Sequence, residues 1–70
     1  MIDIVVSHPN YPDDPTAEAS ECLNQVQIHH STHGSKISFA DAVLFDRGFQ
    51  KLKSKGFNVS LIGSYRKYSN

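Results

Sequence analysis

A small two-layer α+β domain, with about three strands and two helices packed on one face of the sheet, is the fold class this sequence predicts. Three observations carry it. Short runs near both ends alternate apolar and polar residues with the period of a half-buried strand. A segment in the second half instead spaces its apolar residues by three and four, as one face of a helix requires. Each strand candidate also has one apolar and one mostly polar face, which suits a sheet covered by helices on one side only. At 70 residues, the chain is expected to form a single compact domain over residues 1–70. Area scaling gives a folded surface of roughly 4,400 Å² against roughly 11,000 Å² for the open chain. That is one modest core, with no room for a cofactor cleft and a second lobe.

The elements are read in chain order. Ile2-Asp3-Ile4-Val5-Val6-Ser7 predicts a first strand with Ile2, Ile4 and Val6 on one face. His8-Pro9-Asn10-Tyr11-Pro12-Asp13-Asp14 sustains neither helix nor ladder and reads as a loop. Asp14-Pro15 has the form of an N-cap followed by proline at the first helical position. Ala19, Cys22, Leu23 and Val26 keep helical spacing after it, but residues 25–30 also alternate like a strand. The preferred reading is a helix to about Leu23 followed by a strand; the alternative is one helix to about His30, ended near Gly34.

Ser38-Phe39-Ala40-Asp41 fits a variant capping box, with Asp in place of Glu or Gln. From it Phe39, Ala42, Phe45, Phe49 and Leu52 fall on one arc of a long helix, which Gly56 ends as a left-handed C-terminal residue. Gly48 inside that helix costs about 1 kcal/mol relative to alanine and is expected to permit close packing. The long helix should supply most of the core through Phe39, Phe45, Phe49 and Leu52, and Phe49→Ala should cost about 3–5 kcal/mol. Phe57, Val59 and Leu61 alternate with Asn58 and Ser60 as a last strand, interrupted at Gly63-Ser64 before Tyr65-Arg66-Lys67-Tyr68.

Composition excludes several function classes. The longest apolar run is Ala42–Phe45, far short of a membrane span. The start has no basic segment followed by an apolar one, so no export signal is expected. The single cysteine, Cys22, makes no internal disulfide, and the expected compartment is the cytoplasm. His8, His29, His30 and His33 do not combine with Cys22 in any standard zinc spacing, and no second Cys pair supports one. Polar turn histidines are the expectation, with neither metal nor cofactor. Cys22 lies on an apolar stripe and lacks any flanking nucleophile signature, Asp13-Asp14 is explained by capping, and no phosphate-binding glycine loop occurs. The chain is not expected to be an enzyme.

Zero net charge conceals an asymmetry. Residues 1–46 hold all seven acids (Asp3, Asp13, Asp14, Glu18, Glu21, Asp41, Asp46) and one base, Lys36, a balance of minus six. Residues 47–70 hold Arg47, Lys51, Lys53, Lys55, Arg66 and Lys67 with no acid, plus six. Arg47, Lys51 and Lys55 recur every four residues and form one helical stripe opposite the phenylalanine arc. Leu44 projects near them and Val43 lies at the edge, a pattern of apolar anchor and charged rim that suits a protein interface. Tyr11, between prolines, is a second anchor.

A small interaction protein that binds a macromolecular partner, a protein or ribonucleoprotein complex, fits these features best. Phage and other mobile elements commonly encode stand-alone proteins of this size against host defence enzymes, anti-CRISPR proteins included. Size class alone sets that expectation; no motif carries it. The expected contacts are Leu44, Arg47, Lys51, Lys55, Tyr65, Arg66 and Lys67 on the basic side, with Tyr11, Asp13 and Asp14. The acidic half could instead face a basic groove that normally holds nucleic acid. The alternative function is a nucleic-acid-binding module using the basic C-terminal half, where Tyr65 and Tyr68 flank Arg66 and Lys67. Its weakness is a polar sheet face without aromatics (Asp3, Val5, Gln27, His29, Asn58, Ser60), which offers bases nothing to stack on.

Overall fold

The computed structural model describes residues 1–64. The described chain runs β1 (Ile2–Ser7), α1 (Thr16–Gln25), β2 (Ser31–His33), β3 (Lys36–Phe39), α2 (Ala42–Ser54) and β4 (Asn58–Ser64). The four strands form one antiparallel sheet in the order β2-β3-β1-β4. The expected α+β class holds, with four strands rather than three and both helices as the second layer.

Register sorts the side chains into two faces. Ile2 opposes Phe39 and Ile4 opposes Ile37, while Val6 opposes Val59 on the other side of β1. These residues point toward the helices. Ile4, Ile37 and Phe39 are fully buried there with Ala19 and Leu23 of α1 and Leu52 of α2. The opposite face carries Ser31, His33, Lys36, Ser38, Asp3, Val5, Ser60 and Asn58, paired across the strands. Two of these are nonetheless buried: Ser38 Oγ donates to Asp3 Oδ1 at 2.6 Å, and Lys36 Nζ stands 3.7 Å from the same carboxylate. The hydroxyl donor and the nearby ammonium offset the desolvation of the carboxylate.

The strand expected over residues 25–30 is absent, and so is the alternative helix to His30. α1 closes instead with a Schellman motif. Gln27 takes φ 60°, its N–H donates to Asn24 O, and Ile28 N–H donates to Leu23 O. Leu23 and Ile28, the apolar pair such a closure brings together, are both in the core. The apparent alternation of Val26 and Ile28 was therefore a helix end. α2 closes in the same way at the expected glycine: Gly56 has φ 91°, Gly56 N–H donates to Lys53 O, and Phe57 N–H donates to Leu52 O.

The start of α2 is also corrected. Ser38 does not cap a helix and Phe39 does not lie on one; both belong to β3. The cap is Asp41, whose Oδ1 accepts the Leu44 N–H at 2.9 Å. β2 and β3 are joined by Gly34-Ser35, with Gly34 at φ 62°, the residue order of a type II′ hairpin. At the other helix, Asp14 sits one residue earlier than expected: Pro15 is the N-cap, and Asp14 Oδ1 accepts from Thr16 N–H at 3.1 Å and from its hydroxyl at 2.5 Å.

These shifts redistribute the core. Its central ring is Phe39, supplied by a strand, while Phe45 and Phe49 are half-buried on α2. The large penalty expected for Phe49→Ala therefore transfers to Phe39. Gly48 packs as anticipated: a β-carbon there would lie 2.7 Å from Cε1 and Cζ of Phe39. Leu61 opposes Ile4 but is 59% exposed, so the expected inward role of that position is not met. β4 is an edge strand, and its ladder slips between Asp3 and Ile4 of β1, leaving Ile62 as the extra residue of a bulge.

Candidate interaction surface

An aromatic-lined surface lies where the loop after β1 meets α1 and the end of α2. Tyr11 N–H donates to His8 O at 3.0 Å, closing a tight turn over Pro9 and Asn10. The turn presents His8 and Tyr11 as a pair, with ring centroids 4.9 Å apart and edge-on. Phe57, positioned by the α2 closure, completes the cluster: it lies edge-on to His8 at 4.8 Å and stacks with Tyr11 at 6.4 Å. Beside these rings is an open depression of about 460 Å³, lined by His8, Tyr11, Ala17, Glu18, Glu21, Cys22, Lys55 and Phe57.

The hydrogen bonds of His8 determine what it can do. Asn10 N–H donates to Nδ1 at 3.1 Å, so Nδ1 must carry the lone pair. Nε2, 3.1 Å from Lys55 O, is then the protonated nitrogen. Both nitrogens are occupied in the neutral ring, and His8 ties the β1–α1 loop to the end of α2. His30 is engaged likewise: Nδ1–H donates to Ile28 O at 2.8 Å, and Nε2 accepts from Ser20 Oγ at 2.7 Å. Neither ring is free to activate Cys22, which packs half-buried against the core. His29 and His33 are exposed. Among the described residues no three His, Cys, Asp or Glu side chains are placed to hold a metal ion.

A second, smaller depression of about 170 Å³ shares Tyr11 and Glu18 and adds Asn10, Pro12, Asp13 and Asp14. Tyr11, 41% exposed, thus stands between two hollows, with Asp13, Asp14, Glu18 and Glu21 around it, all exposed. The ion pair among the described residues is Lys36 with Asp3. The four carboxylates near Tyr11 are therefore not neutralised by a described lysine or arginine.

The basic residues divide. Arg47 and Lys51 line a separate hollow of about 410 Å³ with Val26, Ile28, Asp46 and Gln50, where Gln50 donates to Asp46 at 3.1 Å. Lys55 lines the aromatic depression instead, so the three basic residues spaced four apart border two different hollows. Leu44 is corrected: it packs half-buried against the core. The exposed apolar side chains on this side are Val43 at 67% and Val26 at 42%. Tyr65, Arg66 and Lys67 lie outside the described residues.

Of the expected contacts, Tyr11 shares one hollow with Lys55 and another with Asp13 and Asp14, while Arg47 and Lys51 line a third. His8, Cys22 and Phe57 were not expected at this surface. The signal for His8 was its spacing from Tyr11 across Pro-Asn, which is a turn pattern. Among the described residues no helix is long and apolar enough to cross a membrane. No protein-family model, curated protein or solved structure matches this chain.

Proposed function

We propose that this protein is a non-enzymatic interaction domain that docks a protein or ribonucleoprotein complex through its acidic aromatic face. The observation that carries the reading is Tyr11, a half-exposed ring held by His8 and Phe57 and surrounded by Asp13, Asp14, Glu18 and Glu21. An anchored aromatic gives contact area at low entropic cost, and a one-signed rim steers encounter with a surface of opposite sign. The complementary partner surface is basic, such as a groove that otherwise binds nucleic acid. Inhibition of a host defence complex, of the kind anti-CRISPR proteins carry out, is the biological setting that suits a domain of this size and surface.

The test separates this reading from nucleic-acid binding by the basic side. Anisotropy of labelled single- and double-stranded DNA and RNA is measured across a salt series. Partner capture from a host lysate is then compared for wild type, Lys51→Glu, and the combined reversal of Asp13, Asp14, Glu18 and Glu21 to lysine. The proposal expects no nucleic-acid binding, and a captured species that survives Lys51→Glu and is lost with the reversal. Nucleic-acid affinity that falls log-linearly with salt and disappears on Arg47→Glu with Lys51→Glu overturns it.

A further inference from the structure

The aromatic depression has walls specific enough to name what enters it. Its floor is Phe57, 4% exposed. Tyr11 stands nearly parallel to Phe57, with 11° between the ring planes, and His8 meets both edge-on. Because both nitrogens of His8 are already bonded, the imidazole presents a ring rather than a donor or acceptor. The polar groups on the rim are the carboxylates of Glu18 and Glu21, set three apart on α1 and so on one face. The lining also includes one cation, Lys55.

We infer that this depression receives one arginine side chain of the docking partner, its guanidinium over the Tyr11 ring and its N–H groups on the Glu18 and Glu21 carboxylates. The inference rests on the reading proposed above and specifies its contact. A guanidinium is planar, always charged, weakly hydrated and offers donors only, which matches a site of aromatic faces and acceptors. Lysine fits less well, because its ammonium is a strongly hydrated point charge without a face to stack. Anions are opposed by the two carboxylates. The apolar floor accommodates the methylene stem. Lys55 opposes the incoming charge, so the site is tuned below its full strength by its own rim.

The test uses a probe rather than the partner. Acetyl-Gly-Arg-Gly-amide is titrated into the 15N-labelled full chain and followed by amide shifts, beside the same peptide with lysine or with citrulline, the neutral isostere of arginine. A dissociation constant of order 1–10 mM is expected for a single side chain, with shifts confined to residues around Tyr11, Ala17–Cys22 and Phe57. Citrulline should bind at least about tenfold more weakly, and Glu18→Gln with Glu21→Gln should weaken the arginine peptide by about five- to tenfold. Lys55→Ala should tighten it about two- to fivefold. Equal binding of the citrulline peptide, shifts centred on Arg47 and Lys51, or no shifts at all would overturn the inference. If the peptide fails while charge reversal still abolishes partner capture, only the arginine contact is lost. If the peptide binds as expected and the capture test fails, the docking function is lost and the site stands.

Discussion

Gly48→Ala tests how closely α2 approaches the sheet. In an exposed helix interior this change is favourable by about 1 kcal/mol, because alanine loses less conformational entropy than glycine. Here the added methyl would sit 2.7 Å from two atoms of the Phe39 ring and 3.4 Å from Leu23 Cδ2. Ordinary carbon contacts lie at about 3.5–4.0 Å, so relief requires a movement of nearly 1 Å. Phe39 is fully buried, is carried by a strand, and has the Phe45 ring 6.1 Å from its own, so it has little room to retreat. Overpacking of this kind costs about 1–3 kcal/mol. Set against the propensity gain, the net loss is about 0–2 kcal/mol, with the upper half of that range favoured by the rigidity of Phe39.

Urea unfolding followed by circular dichroism measures it, and a 2 kcal/mol loss would lower Tm by about 8–16 °C in a domain of this size. The decisive arm is a double-mutant cycle with Phe39→Leu, which shortens the side chain facing Gly48. In that background Gly48→Ala should become neutral or stabilising, giving a coupling of about 1–2 kcal/mol. An additive cycle, or a single variant more stable than wild type, would refute the packing argument.

Two further predictions concern helix ends. Gln27→Gly should raise stability by about 0.5–1 kcal/mol, read as a higher urea midpoint, because residue 27 holds φ 60° with a side chain that opposes it. Asp41→Ala removes the acceptor of the Leu44 N–H and should cost about 1 kcal/mol, with Asp41→Ser restoring most of it in the same assay.

How far the sequence reveals this fold depends on the kind of signal. β1 and the C-terminal closure of α2 were legible because period-two alternation and a glycine after a helical arc have few other readings. Residues 25–30 misled because the exposed Val26 stands two before Ile28, the core residue of the Schellman closure, and Gln27 occupies the left-handed position where glycine is the recognisable mark. Asp41, read as the N3 partner in a Ser38 capping box, is itself the cap, while Ile37 and Phe39 serve a strand. Gly34-Ser35 ahead of that pair was the available hairpin signal. At the surface, charge segregation was visible in one dimension, but its meaning was not. Only the fold shows that Lys55 joins the acids and aromatics while Arg47 and Lys51 face the end of α1.

The position of β1 has a consequence for how the molecule is made. It lies at the centre of the sheet, with Ile2 paired to Phe39 on one side and to Ser64 on the other. Closing those ladders means joining distant parts of the chain before their contacts return any free energy, which slows folding relative to local structure. The β2–β3 hairpin and the turns that end each helix need only near neighbours and can form first. During synthesis β1 emerges early and keeps a hydrogen-bonding edge uncovered until residues 58–64 arrive. That interval, rather than the finished fold, is when a strand as apolar as Ile4-Val5-Val6 is most open to pairing with the wrong chain.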